Sequence, residues 1–120
     1  MSAFSTRTVS DVLVIMFDSA SALNDFRNNP LRDALYEFVQ SQSQPRFAAN
    51  LSNIDFLSSS GISILVGLKK RIEARGGQIV LFHLQPIVTD VLAGMKLDRF
   101  FTIAPDERGA IDSFRPVPTA

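Results

Sequence analysis

Apolar residues recur along this chain in two rhythms, short continuous runs and longer stretches in which they return every three or four positions. Val12 to Phe17 is unbroken between Ser10-Asp11 and Asp18, which predicts a buried strand, paired with an earlier one over Phe4 to Val9 through the short turn between them. From Pro30, a residue suited to a first helical turn, Leu31, Ala34, Leu35, Phe38 and Val39 keep helical spacing until the polar run Gln40 to Gln44 and Pro45. Phe47 to Leu51 predicts the next strand. Ser58, Ser59, Ser60 and Gly61 then precede a stripe of Ile62, Leu65, Leu68, Lys69 and Ile72, which Gly76 and Gly77 end because glycine adopts the left-handed C-cap conformation freely. Gln78 to Leu84 carries Ile79, Val80, Leu81 and Phe82 in succession, the pattern of a strand covered on both faces. Beyond Pro86, Val88, Val91, Leu92 and Met95 predict a third helix. Phe100 to Ile103 reads as a short last strand, Ala110 to Phe114 as a last helical segment, and residues 115–120 as a flexible tail.

Strand and helix alternate after the opening pair, so the expected architecture is α/β, with a mixed sheet that is parallel in its middle and joined by right-handed crossovers. No composition shift, repeat or linker divides the chain, which predicts one domain over residues 1–120 with an ordered core over 3–114.

Composition narrows the function classes. The 120 residues are 46% hydrophobic, enough for a core without metals or disulfides, and cysteine is absent. Ten phenylalanines against one tyrosine and no tryptophan suit a core better than a base-stacking surface. Twelve basic and twelve acidic residues cancel, leaving no electrostatic footprint for nucleic acid or an anionic membrane. Met1 to Arg7 lacks the order of a secretory leader, and the longest apolar stretch, Ile62 to Leu68, is far too short to span a bilayer, so a cytoplasmic protein without membrane insertion is expected.

Catalytic chemistry finds little support. The single histidine, His83, closes a strand beside Leu84 with no metal-ligand spacing around it, and neither a nucleophile elbow nor a phosphate loop is present. No metal or cofactor site is expected. Lys69, Lys70, Arg71 and Arg75 cluster toward the end of the second helix, where the dipole favours cations and an exposed face is polar anyway; a solvated face is the expectation. The polar stretch Asp18 to Asn29 reads as a long loop, a weak candidate for bordering a partner surface. The turn Ser58-Ser59-Ser60-Gly61 has two readings. Serine is a favoured helix N-cap, and a phosphate added there would meet unpaired N–H groups and the positive end of the helix dipole.

The order of elements, together with Asn50 to Leu57, Ser59 to Ile62, Leu65, Gly76 to Leu81, Leu84, Pro86, Val91, Leu92, Leu97, Asp98 and Phe101, resembles the STAS domain, especially its stand-alone bacterial anti-sigma factor antagonists. The resemblance covers nearly the whole chain. It implies a sheet of four to five strands with helices mainly on one face. It also implies a regulator without enzymatic activity or cofactor of its own, which binds an anti-sigma factor that is itself a serine kinase. In such antagonists the turn typically reads Asp, Ser, Ser or Thr, Gly, with the second hydroxyl residue phosphorylated. Carried over by position, the acceptor is Ser60 with Ser59 as the alternative, Ser58 stands where the aspartate stands, and Asn50, Ser58, Ser59, Ser60, Gly61 and Ile62 border the partner. A phosphatase can reset such a switch. The alternative is a STAS subunit that is not phosphorylated and serves as a structural or regulatory partner of a transporter ATPase or signalling complex.

Overall fold

A computed structural model describes residues 4–18, 23 and 29–114 of the chain. The elements run β1 (Phe4–Val9), β2 (Val12–Phe17), α1 (Asn29–Ser41), β3 (Arg46–Asn50), α2 (Ser59–Ala74), β4 (Gln78–Phe82), α3 (Pro86–Gly94), β5 (Thr102–Ala104) and α4 (Glu107–Asp112). The strands form a five-stranded sheet in the order β1-β2-β3-β4-β5. β1 pairs with β2 antiparallel, with Phe4 opposite Phe17 and Val9 opposite Val12, and the remaining pairs are parallel. The mixed α/β sheet expected from the pattern is present. The expected tail over 115–120 and most of the Asp18 to Asn29 loop lie outside the described residues.

Alternation along the strands divides the core between two faces. Leu13, Ile15, Phe17, Phe47, Ala49, Ile79 and Leu81 point to one side, where Leu35 and Val39 of α1, Leu65, Leu68 and Ile72 of α2, and Val88 and Leu92 of α3 bury them. Val12, Val14, Ala48, Val80 and Phe82 point to the other, covered by Ala110 of α4 and by Phe114. Three helices on one face and one on the other is the expected asymmetry. An ion pair from Arg7 to Glu107 ties the edge strand β1 to α4.

The hairpin turns on Ser10 and Asp11, both left-handed at φ 49° and 65°, the combination whose twist matches that of the flanking strands. Differences from the pattern-based boundaries have local causes. β4 stops at Phe82, short of Leu84, because His83 takes φ 56° and turns the chain toward α3. Phe100 and Phe101 precede the last strand, since both their N–H groups donate to the Leu97 carbonyl at 3.0 Å and close the turn after α3. α4 begins at Glu107, ahead of Ala110, because the Asp106 carboxylate accepts from Gly109 N–H at 2.7 Å and caps it.

Candidate functional site

The carboxyl ends of parallel strands are where α/β sheets leave a crevice, and here the segment from Asn50 to α2 crosses that edge. Leu51, Ile54 and Leu57 are fully buried and hold the segment against the core. Between them, the Asn50 carboxamide oxygen accepts from Ser52 N–H at 2.9 Å, Asn53 Nδ2 donates to the Phe17 carbonyl at 3.0 Å, and Gln85 Nε2 donates to the Ser52 carbonyl at 2.8 Å. The ends of β2, β3 and β4 are thereby joined through side chains, and the turn that follows stands on a fixed base.

Ser58 is the N-cap of α2, with extended backbone at φ −80° and ψ 171°. Its Oγ accepts from Gly61 N–H at 3.1 Å, satisfying one of the unpaired donors of the first turn. Ser58 also reaches across the fold: its N–H donates to the Leu23 carbonyl at 3.1 Å, and its hydroxyl lies 3.3 Å from the same oxygen. The Ser58 and Ser60 hydroxyls are 2.9 Å apart. Ser59 is exposed, and Ser58 and Ser60 are half-buried. The hydroxyl named by position thus stands at the second residue of the helix with part of its surface open to solvent.

The remaining residues expected to border a partner serve the fold itself. Asn50 is 6% exposed, with its carboxamide engaged by Ser52. Gly61 is buried so close to Leu23 that a Cβ added there would overlap the Leu23 carbonyl. Ile62 is buried in the main core. The accessible part of the turn is therefore narrower than the six residues expected: Ser59, Ser60 and one side of Ser58.

At the other end of α2 the basic cluster is not a solvated face. Arg71 stacks on the Tyr36 ring, 3.8 Å from its centroid, and donates to the Gly67 carbonyl at 3.2 Å. Arg75 donates to the Gln42 and Gln44 carbonyls and lies over Phe47. Lys69 pairs with Glu73 and sits 4.9 Å from the Phe100 ring centroid. Lys70 alone of the four is exposed. The reason is geometric: the cations sit where α2 passes aromatic rings and loop carbonyls contributed by distant segments. Burial raises the pKa of Tyr36, whose hydroxyl donates to the Ile64 carbonyl at 3.1 Å, and the neighbouring Arg71 and Arg32 offset only part of that effect.

His83 is exposed beside the Phe82 ring and converges with no carboxylate cluster; among the described residues, no group of three or more His, Cys, Asp or Glu could hold a metal ion. No helix among them is long and apolar enough to cross a membrane.

Residues 3–110 match the STAS domain family. The chain belongs to that family. Its fold is similar to several solved STAS structures. A Thermotoga maritima protein described as a candidate anti-sigma factor antagonist superposes with a TM-score of 0.84 at 22% identity, over 94% of this chain and 95% of that one. An anti-sigma factor antagonist from Mycobacterium paratuberculosis gives 0.73 at 22% identity, over 97% and 100%. The Bacillus cell fate determinant SpoIIAA in its phosphorylated form gives 0.66 at 23% identity, over 94% and 100%. At these identities the likeness is one of fold, and it extends over 94% or more of this chain.

Proposed function

We propose that this STAS domain is an anti-sigma factor antagonist whose docking surface is the accessible part of the Ser58 to Ile62 turn, and that phosphorylation of Ser60 turns docking off. The observation that carries the reading is the position of Ser60, half-buried in the first turn of α2 on a base fixed by buried residues. Support comes from the family and from structural relatives described as anti-sigma factor antagonists, among them SpoIIAA, which is also similar to this chain in its phosphorylated form. Nothing in the turn carries charge: Ser58, Ser59, Ser60 and Gly61 are all neutral. A phosphate brings about one and a half to two negative charges into a surface that must shed water on docking. A hundredfold weaker complex needs only about 2.7 kcal/mol, within the cost of one uncompensated charge in an interface. No rearrangement of the sheet is required. The partner is a serine kinase that acts as the anti-sigma factor; nucleotide and magnesium belong to it, and the chain acts as substrate and ligand, with no catalysis of its own.

The test is to incubate the protein with its candidate kinase and ATP and to locate phosphate by mass spectrometry. Label at Ser60 that is lost in Ser60→Ala, with loss of the complex on phosphorylation, is the expected result. Label that survives Ser59→Ala and Ser60→Ala combined removes this turn from consideration. A stable complex with another assembly that is indifferent to Ser60→Asp would point to a constitutive STAS subunit.

A further inference from the structure

The hydrogen positions around Ser58 follow from counting. A serine oxygen donates one hydrogen bond and accepts two. Ser58 Oγ has three neighbours: the Gly61 N–H, which can only donate, the Leu23 carbonyl, which can only accept, and the Ser60 hydroxyl. The single Ser58 proton goes to Leu23, one lone pair takes Gly61, and the other is left for Ser60. Ser60 is therefore the donor of that pair, its proton aimed inward at Ser58 and its lone pairs taken by no donor among the described residues.

From this we propose that Ser58 is a reversible hydroxyl latch, so that a phosphate on Ser60 pulls the Ser58 proton away from Leu23 and loosens the contact between residue 23 and the start of α2. The inference rests on the reading of Ser60 as the modified residue. Phosphoryl transfer from a nucleoside triphosphate forms the Ser60 Oγ–P bond, breaks the bond from the γ-phosphorus to the departing nucleoside diphosphate, and releases the hydroxyl proton. Ser60 then has nothing to donate. The one Ser58 proton faces two acceptors, a neutral carbonyl and a phosphate, and a hydrogen bond to an ionised acceptor is roughly twice as strong as a neutral one. Among the described residues, Leu23 then keeps the Ser58 N–H as its one donor. The link matters because its two sides are in contact: Leu23 is fully buried, and its carbonyl lies against Gly61, where no side chain fits. A change of charge on the surface is thereby felt at a core residue 35 positions earlier in the chain.

The experiment uses full-length protein with phosphoserine inserted at position 60 during translation, so that no kinase is needed. Nuclear magnetic resonance then reads the Leu23 carbonyl carbon and the exchange of the Ser58 amide. The expected result is an upfield shift of the Leu23 carbonyl and about fivefold faster exchange at Ser58, the equivalent of about 1 kcal/mol for one neutral hydrogen bond. In a Ser58→Ala background the phosphate should produce neither change. The same holds for Ser58→Asp, which keeps a capping acceptor at the helix start but has no proton to move at neutral pH. An unchanged Leu23 carbonyl in the phosphorylated protein, or an equal shift in the Ser58 variants, overturns the latch. Because phosphate is supplied during synthesis, that failure leaves the docking reading standing, whereas kinase labelling elsewhere would remove the docking reading and the latch's trigger but not the Leu23 response to phosphate at position 60.

Discussion

At its start α2 is held by neutral groups, the Ser58 hydroxyl and amide on the Leu23 carbonyl, while toward its end it is held by cations, with Arg71 on Tyr36, Arg75 on Gln42, Gln44 and Phe47, and Lys69 on Glu73 and Phe100. The end with the charges looked, by composition, like a solvated face. Its charges are mostly spent on the fold. The uncharged end is the one where adding charge would alter the environment most, since no cation is present in the turn to absorb it. A count of charges thus misjudges which end can act as a switch; what decides is whether each polar group already has a partner.

The sharpest way to break the difference is to disturb the close approach at the neutral end. Gly61→Ala places a methyl group against a backbone carbonyl that cannot swing aside as a side-chain tip could. The expected loss is about 3 kcal/mol, the upper part of the range for overpacking a well-filled site, read as a lower urea midpoint with an unchanged slope. The other end should answer to shape as well as charge. Arg75→Ala removes a forked donor from two loop carbonyls and is expected to cost about 2 kcal/mol, as hydrogen bonds to charged groups do. Arg75→Lys should recover less than half of that, because one ammonium cannot reproduce the planar fork.

A smaller effect separates the ends by pH. Tyr36 is the only tyrosine, so the tyrosinate absorbance of the folded protein reports this one group. Its folded pKa is raised above the usual value of 10.0, chiefly by burial. In the unfolded chain the phenol ionises near its ordinary pKa, while in the folded chain it keeps its proton to higher pH. The folded state then binds more protons, so the stability from this site is complete below the unfolded pKa and is lost as pH rises through the folded one. Alkaline titration should show a later tyrosinate midpoint in native protein than in urea, and Tyr36→Phe should flatten stability across that window.

What could be read from residues alone follows the range of the forces involved. The opening hairpin and α1 were legible because each is written in a local pattern, an unbroken apolar run for β2 and a helical stripe from Leu31 to Val39 for α1. The start of α2 was legible for the same reason, a serine run ahead of Ile62. β5 was displaced because Phe100 and Phe101 have the composition of a strand but are claimed by the Leu97 carbonyl. At the site, the cap at Ser58 is local, and the Asn50 turn onto Ser52 could have been found from the tendency of asparagine to bond the backbone two residues ahead. The Leu23 contact could not, since nothing in either segment records a partner so distant in the chain. The only trace is Gly61 itself, a residue with poor helix propensity in a first turn, where it marks close backbone approach. The basic residues misled for the mirror-image reason: apart from the Gly67 carbonyl within α2, their rings and carbonyls come from α1, the α1–β3 loop, β3 and the segment before β5.

The finest test of the comparison lies in two adjacent residues. Lys69 and Lys70 share charge, length and position along the helix dipole, so any account based on charge alone treats them as equivalent. Their surroundings differ: the Lys69 side chain is 14% exposed, between Glu73 and the Phe100 ring, whereas Lys70 faces solvent. Lys69→Ala is expected to cost about 1 kcal/mol through lost packing of the stem and the cation–π contact. Lys70→Ala should stay within about 0.5 kcal/mol, as exposed substitutions do. Equal losses in urea titrations would mean that the dipole and net charge govern this end of α2, and the contrast between its partnered and unpartnered cations would have no energetic content. A difference that persists at high salt would assign the larger loss to contact, since screening weakens exposed charges far more than a lysine stem packed beside an aromatic ring.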